Sequence, residues 1–171
     1  MAAFYGSIAS AATAWPFVGT RWGSALPCRR RPGGTACRGH LELARTEVPP
    51  EVRWRCPSCG DSGVIRAFEG SVWDLGAIEA PADLDPARVD VLLPPGDLAV
   101  VRGLDDLARP DRRTVMTALR RGPEGVLWGT PESLWRLLDA VREATRRTDG
   151  RQRAALGRVA AAIEAALVRV A

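Results

Sequence analysis

The chain contains no lysine. All 24 of its Lys+Arg positions are arginine, set against 20 Asp and Glu. A phosphate-cradling loop of the Gly-Lys-Ser/Thr kind is therefore absent, and Gly33-Gly34 runs into Thr35. Histidine occurs once, as His40. A Ser-based hydrolytic site has no base outside the cysteine segment, and a catalytic zinc has no histidine set to hold it. Long apolar runs are missing too. The longest charge-free stretch, residues 1–20, is interrupted by Gly6, Ser7, Ser10, Thr13 and Pro16. A membrane span needs about 20 predominantly apolar residues. A secretory signal opens with positive charge, and the first base here is Arg21. The expectation is a soluble, cytoplasmic protein that is not an enzyme, with no membrane partner and no small-molecule substrate identified.

Charge is unevenly spread. Residues 1–60 carry eight Arg and three Glu, residues 61–108 three Arg and ten acids, and residues 109–171 thirteen Arg and seven acids. The net charge of +4 and pI near 9.4 would raise nucleic acid as a partner, but the acidic middle third interrupts the positive field. Arginine and alanine in abundance without lysine read most simply as the coding bias of a GC-rich, bacterial genome. Acid pairs such as Asp83 with Asp85, or Asp105-Asp106, read as solvated.

Local pattern predicts an α+β chain. Residues 1–20 have no period and are expected to be a poorly ordered tail. Residues 21–75 read as a small β module: a turn at Pro32-Gly33-Gly34, a strand through Leu41 and Leu43, an alternating strand Glu51-Val52-Arg53-Trp54-Arg55, and a strand from Gly63 to Phe68. Residues 76–97 form an acidic, Pro-rich linker holding a short strand at Val89 to Leu93. Residues 98–171 are expected to be a mainly helical domain, with helices after Asp97 and over 110–121, and a buried strand at 125–129. Thr130 caps a strong helix with Pro131 at its first position. Its stripe is Leu134, Leu137, Leu138 and Val141. A last helix carries Leu156, Val159, Ile163 and Leu167, and the two are expected to pack as an antiparallel pair.

All four cysteines lie between positions 28 and 59. Without a signal peptide, a metal site is favoured over disulfides. Cys56-Pro57-Ser58-Cys59-Gly60 has the form of a zinc knuckle: two residues between thiolates bring both sulfurs to one metal, and the glycine allows the chain to turn back. Two further ligands come from Cys28, Cys37 and His40. Cys37 with His40 has ordinary zinc-ribbon spacing. Cys28 with Cys37 makes an all-thiolate set and uses every cysteine. Either way the zinc is structural, because a thin core of Leu41, Leu43, Val52, Trp54 and a few others needs a staple.

Together the runs Cys28-Arg29-Arg30-Arg31-Pro32-Gly33-Gly34, Cys37-Arg38-Gly39-His40 and Trp54-Arg55-Cys56-Pro57-Ser58-Cys59-Gly60-Asp61-Ser62-Gly63-Val64-Ile65 resemble a group of small uncharacterised bacterial proteins. That group carries a zinc-ribbon-like segment of the form W-x-C-x-x-C-G-D-x-G-V-I. The likeness covers roughly residues 20–75 and more loosely 125–170. It implies that both upstream cysteines belong to the motif, which places Cys28 ahead of His40, and it implies no activity. The chain departs at Ala67-Phe68, where a tryptophan is more usual.

Two partner classes follow. Nucleic acid would meet Arg29, Arg30, Arg31, Arg53 and Arg55 around the ribbon, with Trp54 or Phe68 stacking a base. Alternation puts Arg53 and Arg55 on one face of their strand and Trp54 on the other. The alternative is an adaptor or homo-oligomer that docks through the C-terminal helices, with Trp128 and Trp135 as anchors.

Overall fold

A computed structural model of the chain describes residues 2–76 and 88–170, and the chain divides into two compact units, Met1–Ala80 and Pro81–Ala171. Both combine helices with antiparallel strands, so the α+β class expected from the sequence is the one the chain adopts. Among the described residues no helix is long and apolar enough to cross a membrane.

The first unit is a helix on a four-stranded meander. Helix α1 (Ala2–Ala14) precedes β1 (Trp22–Pro27), β2 (His40–Glu47), β3 (Pro50–Arg55) and β4 (Ser62–Ile65), and each strand pairs antiparallel with the next. Register sets Trp22 opposite Leu43, Leu43 opposite Trp54, and Trp54 opposite Gly63, one row across the sheet. The first three are buried. Gly63 completes the row because any side chain there would strike the Trp54 indole, 2.9 Å away. The residues of this face meet α1 and the residue that follows it: Phe4 of α1 meets Trp54 edge-on at 6.0 Å, and Trp15, just past the helix, stacks on Trp22 with centroids 4.2 Å apart.

Residues 2–14, expected within a poorly ordered tail, thus form a core helix. Ile8, Ala11, Ala12 and Thr13 are fully buried. The sheet covers one side. The 71–75 segment crosses another, where Ser10 Oγ donates to the Trp73 carbonyl at 2.9 Å and the Leu75 amide donates to Thr13 Oγ1 at 3.0 Å. A helix enclosed on more than one side needs no polar face, so it shows no amphipathic period. Strand β1 was likewise not read from the sequence, being short and set beside Arg-, Gly- and Pro-rich chain.

The second unit begins inside the expected linker. Residues 77–87, half of that linker, lie outside the described residues, and β5 (Val89–Leu93) follows them. Helices α2 (Pro95–Arg102) and α3 (Arg109–Met116) lead to β6 (Leu119–Arg121) and β7 (Glu124–Gly129), then α4 (Pro131–Arg147) and α5 (Gly150–Val168). Strand β7 lies between β6 and β5, antiparallel to both. The expected helix over 110–121 therefore stops at Met116. Residues 119–121 instead pair with β7 through a hairpin at Gly122, whose φ of 58° suits glycine.

Helix α4 starts as its sequence dictates, with the Ser133 amide donating to Thr130 Oγ1 at 3.3 Å. It buries Leu134, Leu137, Leu138 and Val141, and α5 buries Leu156, Val159, Ile163 and Leu167. Arg142 of α4 pairs with Glu164 of α5 at 3.0 Å. Buried Asp97 of α2 receives both Nε and Nη2 of Arg158, at 2.9 and 2.5 Å, tying α2 to α5.

Candidate metal centre

In an up-and-down meander the first and third connections lie at the same end of the sheet. Here those connections hold the cysteines. Strand β1 ends at Pro27 and delivers Cys28. The Cys28 amide then donates to the Gly39 carbonyl and the Cys37 amide to the Arg30 carbonyl, both at 2.8 Å. The loop between them turns at Pro32–Gly34, where Gly33 and Gly34 have φ of 62° and 83°. Strand β3 ends at Arg55 and delivers Cys56. The Gly60 amide donates to the Cys56 carbonyl at 2.9 Å, and the Cys56 amide to the Asp61 carbonyl at 2.7 Å. Gly60, at φ 74°, supplies the left-handed residue that turns the chain into β4.

The four sulfurs converge. Cys28 and Cys59 are 3.7 Å apart, Cys37 and Cys56 are 3.7 Å apart, and all four lie within 4.8 Å of one another. A disulfide would need about 2.05 Å, and all four thiols are free. A tetrahedron of thiolates about 2.3 Å from a metal has S···S edges of about 3.8 Å, so the two close pairs already stand at the spacing a metal requires. His40 opens β2 and is not among the clustered donors.

Backbone amides point at the sulfurs. The Arg30 amide lies 3.4 Å from Cys28 Sγ and the Gly39 amide 3.3 Å from Cys37 Sγ, each two residues beyond its cysteine. Cys56 takes the amides of Cys59 and Ser58. Burial pushes the Cys28 thiol up to about 12, against the pull of the Arg30 amide. The Gly39 amide holds Cys37 down, but burial and the Cys59 and Cys56 sulfurs outweigh it, and that thiol is raised too. Burial also acts to raise Cys56, yet the Cys59 and Ser58 amides and the neighbouring sulfurs leave it lowered. Four crowded sulfurs cannot all carry charge without a cation among them, and a metal ion held by the four would supply that charge.

Gly39 was missed by sequence reasoning, although it belongs to the centre. A methyl group on it would stand 2.6 Å from both Cys56 Sγ and Ser58 Oγ. Its place two residues after Cys37 is the sequence signal that could have identified it.

The arginines singled out from sequence are largely engaged. Arg29 lies over the Phe4 ring at 5.2 Å, Arg30 pairs with Asp61 at 3.2 Å, Arg53 with Glu51 at 3.0 Å, and Arg55 with Glu42 at 2.7 Å. Arg30 and Arg31 border a small hollow beside Cys59. Trp54 and Phe68 are both buried, 7% and 6% exposed, so neither ring offers the stacking surface expected of it.

Compared with known protein families, curated proteins and solved structures, the chain matches none of them.

Proposed function

We propose that this is a zinc-binding, non-enzymatic protein in which the metal is structural. The observation that carries the reading is the convergence of Cys28, Cys37, Cys56 and Cys59 within 4.8 Å. An all-cysteine tetrahedral set suits zinc, and four protein ligands leave no position for a substrate or reactive water. Bound there, zinc joins the β1–β2 connection to the β3–β4 connection and closes one end of the sheet. The fit to the zinc-ribbon-like resemblance, with both upstream cysteines as ligands, follows the same reading.

Metal analysis of the purified protein, with thiol titration before and after chelation, tests it. The expected result is one zinc per chain and four thiols that react only once the metal is removed. Two protected thiols instead of four overturn the ligand set, and a metal-free folded protein overturns the site.

Of the two partner classes, nucleic acid is the favoured one, because on one face of the first unit's sheet Arg21, Arg53, Arg55 and Arg66 outnumber the carboxylates of Glu42 and Glu51. An adaptor reading rests on Trp135 of α4, which is 46% exposed. Trp128 is not available to it, being buried with its Nε1 donating to the Thr117 carbonyl at 3.0 Å.

A further inference from the structure

The sheet of the first unit has a second face. Period-two alternation turns Trp22, Leu43, Val52 and Trp54 inward, and turns Gly23, Glu42, Arg53, Arg55, Ser62 and Val64 the other way. Arg53, Arg55 and Arg66 on this open face have side chains 60%, 52% and 70% exposed.

Each guanidinium is steadied through only part of its fork. Arg53 gives Nε and Nη2 to Glu51 Oε2 at 3.1 and 3.0 Å. Arg66 gives Nε and Nη2 to Glu51 Oε1, both at 2.7 Å. Arg55 gives Nε to Glu42 Oε2 at 2.7 Å. The Nη1 donors take no part in these bonds. The Glu51 side chain is only 5% exposed, so the carboxylate that organises two arginines lies beneath them. Exposed Arg21 joins Arg53, Arg55 and Glu42 around a hollow of about 290 Å³, and Arg66 stands beside Arg53 on the shared Glu51 carboxylate, so the face carries four guanidiniums against two carboxylates.

We infer that this open sheet face binds the phosphodiester backbone of duplex nucleic acid without reading its sequence. The inference rests on the reading of the chain as a metal-stapled binding protein; of the arginines named from sequence it keeps Arg53 and Arg55, leaves out Arg29, Arg30 and Arg31, and adds Arg21 and Arg66. Guanidinium forks match phosphate oxygens bidentately, and forks already held by carboxylates lose less freedom on binding. Trp54 lies on the inward side, under α1. The face therefore lacks the stacking platform that single strands use. A duplex presents phosphates in fixed rows, one charge per about 1.7 Å of axis, whereas an acidic peptide must be ordered first.

The test is fluorescence anisotropy of the zinc-loaded full chain with a short mixed-sequence DNA duplex across a salt series. Contacts from four arginines predict a log–log salt slope of roughly −3 to −4. Arg21→Gln with Arg55→Gln leaves the Glu51 cluster whole and is expected to flatten the slope by about 2. Glu42→Gln removes a negative charge and tightens binding, while Arg151→Gln with Arg153→Gln, on α5, changes nothing. An unchanged slope in the Arg21/Arg55 variant, equal loss in the α5 variant, or displacement of the duplex by polyglutamate at matched charge overturns the inference. So does the absence of duplex binding. Zinc content and circular dichroism accompany each measurement: a folded, zinc-loaded protein that ignores the duplex defeats this surface alone, and a folded protein without zinc defeats the proposed function as well.

Discussion

Gly39 leaves the space that the Cys56 sulfur needs: a methyl group on Gly39 would stand 2.6 Å from Cys56 Sγ. Its amide meanwhile lies 3.3 Å from Cys37 Sγ. One residue therefore serves the donors of both connections, by an absence and by a hydrogen bond. Gly39→Ala is expected to weaken zinc binding about 10-fold or more, the scale on which groups supporting metal ligands act. Competition against a chromophoric chelator reads the loss. An unchanged affinity would show that the β3–β4 connection yields freely.

Metal affinity should fall as pH falls. Burial raises Cys28, burial and its neighbouring sulfurs raise Cys37, and amide donors lower Cys56. At neutral pH the metal must displace at least the protons of Cys28 and Cys37. The apparent affinity then changes by at least about two decades per pH unit, one for each proton released. The same chelator competition, repeated across the neutral range, checks the slope. A flat profile would mean that the sulfurs are already ionised before metal arrives.

Glu51 predicts an acid limb of stability. The Arg66 and Arg53 hydrogen bonds hold its carboxyl below the usual range. A group with a depressed folded pKa contributes stability that is present above its unfolded pKa, about 4.3, and lost as pH falls through the folded value. Glu51→Gln should remove that part of the pH dependence. Urea denaturation midpoints from neutral to acidic pH follow it, and parallel wild-type and variant curves would refute the assignment.

At the start of α4, Thr130→Ala removes the acceptor of the Ser133 amide. The expected cost is about 1 kcal/mol. It should appear as a lower denaturant midpoint with metal affinity unchanged, because Thr130 lies in the other unit from the cysteines.

Much of the fold was legible wherever a residue's neighbours in sequence are also its partners in space. The cap and stripe of α4 are local, as is the alternation that makes β3 a strand. The Cys56–Cys59 knuckle needs only two intervening residues and a glycine. Helix α1 was not legible, because its burial comes from a sheet and a strap far along the chain. Residues 119–121 carry helix-compatible side chains and became β6 only through pairing with β7.

What the sequence by itself determined is the chemistry available: four thiols, a single imidazole, and arginine but no lysine. Only the tertiary structure decided how those groups meet. It gathered Cys28 and Cys37 with Cys56 and Cys59, because a meander returns its first and third connections to one end. It also decided what the arginines do. Strand register sets Glu42 opposite Arg55, and the β3–β4 pairing brings Arg66 to Glu51. Charge counted along a chain cannot show this, because ion pairs across strands depend on register.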